Sequence, residues 1–161
     1  KMRWFLLLLV IVVGGYVAAA HFSGGAFPTL GLPLGGERGL LRSTTTSFLE
    51  DIQFKDFDKA ASYHAPDKRD EVDIPFLIER LFFQKPESLD VMGYEIMFAD
   101  VDSTRLRARV KARIKVKSLA NGSIQERELM LFYHRETLEA PWYMELESSL
   151  RQLSAEKGKK S

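Results

Sequence analysis

Three ionisable side chains lie close together at residues 63–67 and are the best candidates in the chain for acid–base chemistry. Tyr63, His64 and Asp67 supply a phenol, an imidazole and a carboxylate, which are groups that transfer protons in enzymes. Such residues near the end of a helix more often cap the helix or face water, so both interpretations stay open at this point. Geometry decides between them, because a catalytic base must lie within hydrogen-bond reach of its proton.

The sequence offers little other chemistry. The chain has no cysteine, which excludes disulfides, thiolate catalysis and cysteine metal sites. Its histidines, His21, His64 and His134, are too scattered to suggest a metal site. Gly14-Gly15 follows no strand and is not a phosphate-binding loop. We therefore predict no catalytic residue, no metal and no cofactor, and a protein that is not an enzyme.

The most regular pattern in the chain is the alternation RLRARVKARIKVK at residues 105–117. Every odd position is basic and every even position is apolar. Because side chains on a strand alternate between the two faces, one face is predicted to be buried under helices. The other face is predicted to meet water or an acidic partner.

Asn121-Gly122, after this strand, is a strong signal for a two-residue type I′ hairpin turn. With Ala120 opposite Ser123, the turn fixes a register that sets basic residues against glutamates, as in Lys117–Glu126, Lys115–Glu128 and Arg107–Glu136. One interpretation is thus a solvated, internally paired face. The other is a partner-binding face, since the same register places Met130 and Phe132 among the basic side chains. Its candidate residues are Arg109, Lys111, Arg113, Met130 and Phe132.

Helices that are followed by strands must position these groups. Helical spacing begins at Glu37, Asp56 is a candidate cap for a short helix, and Asp73 with Pro75 begins a third. Four strands then follow, at residues 89–101, 105–117, 123–135 and 142–147. The predicted fold class is α+β, with an N-terminal transmembrane helix and then three helices packed on a curved four-stranded antiparallel sheet.

Residues 4–20 are uncharged and apolar, and as a helix they span about 26 Å, slightly less than a roughly 30 Å hydrocarbon core. We interpret them as a membrane anchor. A cleaved signal peptide is an alternative, because Ala18-Ala19-Ala20 suits signal peptidase, and a buried core helix is another. The residues expected to meet lipid headgroups or a neighbouring helix are Trp4, Gly14, Gly15 and Tyr16.

Charge asymmetry predicts the orientation of the anchor. Lys1 and Arg3 flank one end, and no further Lys or Arg occurs until Arg38. The positive-inside rule then places the N-terminus in the cytoplasm and the following domain in the periplasm of a bacterium, on the inner (cytoplasmic) membrane. The predicted organisation is a membrane anchor helix (1–22), a Gly/Pro-rich linker (23–38), an extracytoplasmic α+β domain (39–153) and a basic disordered tail (154–161).

Three short stretches resemble the nuclear-transport-factor-2-like (cystatin-like) superfamily. They are Ser47-Phe48-Leu49 in the opening helix, the run from Asp56 to Ala61 with Pro66 after it, and the closing strand at residues 142–146. The resemblance covers roughly residues 40–150. It implies a cone in which the sheet wraps around a long helix, often with a pocket. Some members are enzymes and many others are binding or assembly modules, so the fold does not choose the function.

The expected function is that of a non-enzymatic, single-span accessory or assembly subunit of a larger membrane protein complex. Its expected partners are other membrane protein subunits and the lipid bilayer. The formal net charge of +1 gives no bulk attraction to nucleic acid, which is not expected as a partner. The alternative is a periplasmic small-molecule or lipid-binding domain, or an isomerase-like enzyme, that uses the cone pocket. A further alternative is a module that docks on anionic lipid through the basic strand.

Overall fold

The computed structural model describes residues 2–22 and 35–160. Within these residues it has an α+β fold with five α-helices and one four-stranded antiparallel sheet, which confirms the predicted α+β class and the predicted sheet. The chain divides into two compact units, Lys1–Ser43 and Thr44–Ser161. Most of the predicted linker, residues 23–34, lies outside the described residues.

The N-terminal unit contains α1, which runs from Met2 to Phe22, and the first turns of α2, which runs from Gly36 to Gln53. Its apolar side chains from Met2 to Val17 are exposed. The predicted linker ended at residue 38, and that boundary is wrong because residues 36–38 already belong to α2. Gly36 has φ +61, a left-handed conformation that glycine adopts without strain at this helix start.

The second unit contains two further helices before the sheet, α3 (Phe57–Ala61) and α4 (Ile74–Phe82). Both begin as their sequences predict. The Asp56 carboxylate accepts from the Lys59 N–H at 3.2 Å, and the Asp73 carboxylate accepts from the Phe76 N–H at 3.0 Å. Short 3₁₀ turns occur at Arg69–Glu71 and Pro86–Ser88.

The strands are β1 (Leu89–Val101), β2 (Arg107–Ser118), β3 (Ile124–His134) and β4 (Tyr143–Met144), in the spatial order β1-β2-β3-β4. The predicted alternation of β2 is confirmed, because its even-numbered residues from Ala108 to Val116 are buried. They join residues of α2, α4 and β3 in one core. Its large buried side chains in this unit include Phe48, Leu49, Leu77, Leu129, Leu131 and Tyr133.

The predicted β2–β3 register is wrong by two residues. Lys115 pairs with Glu126, and Arg113 pairs with Glu128. The reason is a four-residue loop between Ser118 and Ser123, whose closing bond runs from the Ser118 N–H to the Ser123 carbonyl at 2.8 Å. Only Gly122 has a positive φ in this loop, so the type I′ turn, which needs two such residues, does not form. The two-residue shift keeps the same residues on the buried face.

The C-terminal part differs most from the prediction. The fourth strand is two residues long, and α5 (Leu146–Lys159) follows it directly. The three helices predicted after the anchor are therefore four, and residues 154–159 of the predicted disordered tail are helical. Leu146, Ser149 and Leu153 recur at helical spacing on the packed side, and Lys157 and Lys159 suit the negative end of the helix dipole.

Candidate protein-interaction surface

The first candidate surface is α1. Among the described residues it is the one helix long and apolar enough to cross a membrane, over Met2–Ala19, and none of that stretch is buried. A secretory signal peptide meets the same criterion of length and composition. Of the predicted docking residues, Trp4 is 83% exposed, and a Cβ atom built on Gly14 or Gly15 meets no atom within 4 Å. These residues thus lie on exposed, apolar helix, with open space beside the two glycines.

The second candidate surface is the outer face of the sheet, where β2 carries its basic residues. Arg113 lies within 3.2–3.8 Å of Glu95 on β1 and of Glu126 and Glu128 on β3, the two strands that flank β2. Lys111 lies 2.9 Å from Glu128, and Arg109 lies 3.5 Å from Asp100. The predicted internal pairing therefore forms, although its partners differ from those of the predicted register.

This ion-pair network is exposed to solvent. The hydrogen bonds from Lys111 and Arg113 lower the pKa of the Glu128 carboxyl. Exposed pairs of this kind contribute little to the stability of a fold, because water screens them. Within the described residues, Arg107, Lys115 and Lys117 form no ion pair. The excess positive charge of β2 thus lies toward its two ends.

The predicted partner-binding residues do not form one open patch. Met130 is half-buried and lines a small cavity of about 50 Å³ together with Ser149, Gln152 and Leu153 of α5. Phe132 is half-buried near Asp100 and Arg109, beside the loop that joins β1 and β2. The helix α5 therefore accounts for Met130, while Arg109, Lys111 and Arg113 are engaged by carboxylates.

A larger feature, which the sequence did not indicate, is a groove of about 770 Å³ where β3, α4 and α5 meet. Leu81, Phe83 and Leu153 supply its apolar wall. Its charged residues are Arg80, Arg113, Arg127, Lys157 and Lys160, against Glu126, Glu128 and Glu156. The groove is thus apolar in part, and its basic residues outnumber its acidic residues by two. We refer to these eleven residues as the β3 groove.

The candidate acid–base cluster does not assemble. The Tyr63 hydroxyl donates to the Asp51 carboxylate at 3.0 Å, and Lys59 lies 3.4 Å from the other oxygen of Asp51. Asp67 is exposed and forms no hydrogen bond or ion pair in the part of the chain that the structure describes. Burial and the Asp51 carboxylate raise the pKa of Tyr63 to about 12, which makes it a poor proton donor at neutral pH.

His64 is buried, with 2% of its surface exposed. Its Nδ1 lies 3.1 Å from the Ala61 carbonyl oxygen, and its Nε2 has no hydrogen-bond partner within residues 2–22 and 35–160. Burial lowers the pKa of His64, and the nearby Arg69 and His134 add to this effect. His64 therefore stays neutral at neutral pH. It lines neither the cavity between α2, α4 and the sheet nor the β3 groove.

The interior of the second unit has little free space. Tyr133, which lies on the buried face of β3, is bonded through its hydroxyl to the Thr45 hydroxyl at 2.7 Å. The cavity between α2, α4 and the sheet has a volume of about 20 Å³ and is lined almost wholly by apolar side chains. Such a volume holds about one water molecule and no larger ligand.

No group of three or more His, Asp or Glu side chains that can hold a metal ion occurs among the described residues. His21 accepts a hydrogen bond from the Gly35 N–H at 3.3 Å, and His134 lies 3.0 Å from Glu145. A scan against protein-family models finds no match for this chain, and a search of curated proteins finds no similar sequence. We therefore infer the function from the surfaces described above.

Proposed function

We propose that the protein is a single-span membrane protein that acts as a non-enzymatic accessory or assembly subunit of a larger membrane protein complex. Its helix α1 crosses the inner membrane with the N-terminus in the cytoplasm. The α+β unit then lies in the periplasm and contacts the rest of the complex. The partners are other membrane protein subunits and the lipid bilayer.

The observation that carries this proposal is the exposure of α1. None of the stretch Met2–Ala19 is buried, and leaving a Leu- or Val-sized side chain in water costs about 1.5–3 kcal/mol each. A bilayer removes this cost, and two small residues, Gly14 and Gly15, leave space for a second helix to approach closely. A cleaved signal peptide would also explain why the helix is apolar, but it has no need of space for a second helix.

The filled interior supports a binding subunit over a ligand-binding or isomerase-like domain. A pocket for a small molecule or lipid usually has a volume of about 300–1,000 Å³, far above the 20 Å³ between α2, α4 and the sheet. The superfamily resemblance at residues 40–150 is compatible with either role, because that superfamily includes both. Docking on anionic lipid through β2 is also less favoured, since carboxylates already neutralise the middle of that strand.

The test is purification of the tagged full-length chain from native membranes in mild detergent. We expect a second membrane protein at a fixed ratio. Replacing Gly14 and Gly15 by Leu is expected to lower its recovery about tenfold, because about 1.4 kcal/mol of helix packing is lost. The matched control, Val12→Leu with Val13→Leu, keeps the helix apolar and is expected to retain the partner.

Membrane fractionation of both variants separates anchoring from docking. Both are expected to remain in the membrane, since neither adds a charge to α1. A reporter fused after Ser161 and active only in the periplasm is expected to be active. Purification of the wild-type chain without any stoichiometric partner contradicts the proposed function.

A further inference from the structure

We propose that the β3 groove binds an extended, acidic segment of a partner protein, which adds a strand to the free edge of β3. This inference rests on the proposed function, because it names the contact through which the periplasmic unit holds its partner. It concerns a different surface from α1, so the two proposals can fail separately.

The free edge follows from the hydrogen-bond pattern of β3. The bonds from the Ser118 N–H to the Ser123 carbonyl and from the Arg135 N–H to the Leu106 carbonyl fix which main-chain groups turn toward β2. By alternation, the odd-numbered residues of β3 bond to β2 and the even-numbered residues turn away. Along β3, β4 pairs with Tyr133 and His134, and the Glu145 N–H reaches the Phe132 carbonyl at 2.8 Å.

The edge from Ile124 to Glu128 therefore has no partner strand among the described residues, whereas α5 packs beside Met130. The outward main-chain groups of this edge include the N–H groups of Ile124, Glu126 and Glu128, while the Glu126 carbonyl accepts from the Arg127 guanidinium at 3.0 Å. This stretch is about 14 Å long, which suits a strand of four to five residues. A row of free donors and acceptors selects an extended main chain over a helix or a small molecule.

The charge of the groove indicates an acidic occupant. Glu126 and Glu128 are already engaged by Arg113 and Lys111. Among the described residues, Arg127, Lys157 and Lys160 have no carboxylate within ion-pair distance. An incoming strand with acidic side chains would neutralise this excess, whereas a basic strand would add to it.

A second copy of the chain fits this edge poorly. Two β3 edges that pair with their apolar faces aligned must place residues of the same parity opposite each other. Around the free stretch, those registers set Glu126 against Glu126 or Glu128, and like charges directly opposite destabilise a strand pair. A hetero-partner avoids this repulsion.

Two exposed contacts link α4 and the residue after it to α5 beside the groove. Both contacts must break before a strand can enter. Arg80 donates to the Ser154 hydroxyl at 2.9 Å, and the Lys157 ammonium lies 5.2 Å from the centre of the Phe83 ring. Exposed contacts of this kind are each weak. The side chains of α5 from Ser154 to Lys160 are all exposed, so its last turns can shift without uncovering core.

The test uses the full-length chain in detergent and a capped peptide of four Thr-Glu repeats, with four Thr-Lys repeats as the charge control. We expect the Thr-Glu peptide to bind at least about tenfold more tightly. It is expected to slow hydrogen exchange at the amides of Ile124, Glu126 and Glu128. Binding through side chains alone would leave those amides unchanged.

A matched pair of variants locates the site. The triple substitution Arg127→Gln, Lys157→Gln and Lys160→Gln is expected to weaken binding of the Thr-Glu peptide about tenfold or more. The control, Arg107→Gln, Lys115→Gln and Lys117→Gln, removes the same charge outside the groove and is expected to change binding less than about twofold. Slow exchange at Leu129 and Leu131, which bond to β2, reports that each variant is folded.

Three results overturn the inference: no peptide binding, equal binding of both peptides, or binding that leaves the three edge amides unprotected. If the edge amides become protected without peptide as the protein concentration rises, the edge pairs with a second copy of the chain. That result also overturns the inference. If a variant does not fold, the wild-type exchange data still decide. A wild-type chain that binds the peptide but purifies alone contradicts the proposed function and leaves the edge assignment standing.

Discussion

The helix α1 and the α+β unit that begins at Thr44 differ in whether their apolar side chains are exposed or buried. In α1 the apolar side chains from Met2 to Val17 are exposed, whereas in the α+β unit residues such as Phe48, Val110 and Leu131 are completely buried. The second unit thus has a buried core of its own, whereas none of the stretch Met2–Ala19 is buried. The core that stabilises the fold therefore lies in the second unit, and α1 is the element that we propose as the membrane anchor.

The largest expected effect comes from adding charge to α1. Replacing Leu9 and Val13 by Arg costs about 2.5–3.5 kcal/mol for each residue at the centre of a membrane helix, so the protein is expected to leave the membrane fraction. Membrane flotation measures this change. The control adds the same charges at the exposed residues Ser103 and Thr137 and is expected to float with the wild type. If both variants float, α1 is not the anchor.

The next effect tests the core of the second unit. Leu131→Ala removes a side chain with 0% exposure and is expected to lower the free energy of unfolding by about 2–5 kcal/mol. The control, Leu138→Ala, changes a side chain that is 48% exposed and is expected to cost less than about 0.5 kcal/mol. Urea unfolding, monitored by circular dichroism, gives both values. Equal losses would mean that this unit lacks the core described here.

The smallest effect is a pH dependence that arises from His64. Burial holds the pKa of its folded state below the ordinary value of 6.5, so the unfolded state binds more protons in the window between the two pKa values. This contribution to stability is complete above pH 6.5, and it is lost as the pH falls through 6.5 toward the folded-state pKa. Urea midpoints measured from pH 7.5 downward are expected to fall.

His64→Gln supplies the control for this pH dependence, because glutamine does not titrate. Its midpoint is expected to change less steeply with pH than that of the wild type. A wild-type midpoint that rises as the pH falls below 6.5 would contradict the assignment of a neutral, buried His64.

Periodicity predicted most of the elements. The strict alternation at residues 105–117 identified the buried face of β2, and Asp56 and Asp73 marked the starts of α3 and α4. The register failed because Asn121-Gly122 suggests a two-residue turn, whereas only Gly122 adopts a positive φ. The length of the turn depends on which residues of the two flanking strands form the last hydrogen-bonded pair. The residues of the loop alone do not determine that pair.

The candidate surface was less predictable than the fold. The β3 groove combines residues from α4, β3 and α5 that are far apart in sequence, and it exists only because β4 is short. Trp142, Tyr143, Met144 and Leu146 suggested a strand over residues 142–147. The helix that begins at Leu146 was therefore not predicted. Met130 was predicted to face a partner, but α5 packs beside it.

The most direct test of the central claim is the native mass of the full-length chain, extracted from its own membrane in mild detergent. We expect an assembly far heavier than the 18.4 kDa monomer or its dimer, with a second polypeptide at a constant ratio to this chain. A particle that holds one or two copies of this chain and no other protein would contradict the claim that it is a subunit of a larger complex.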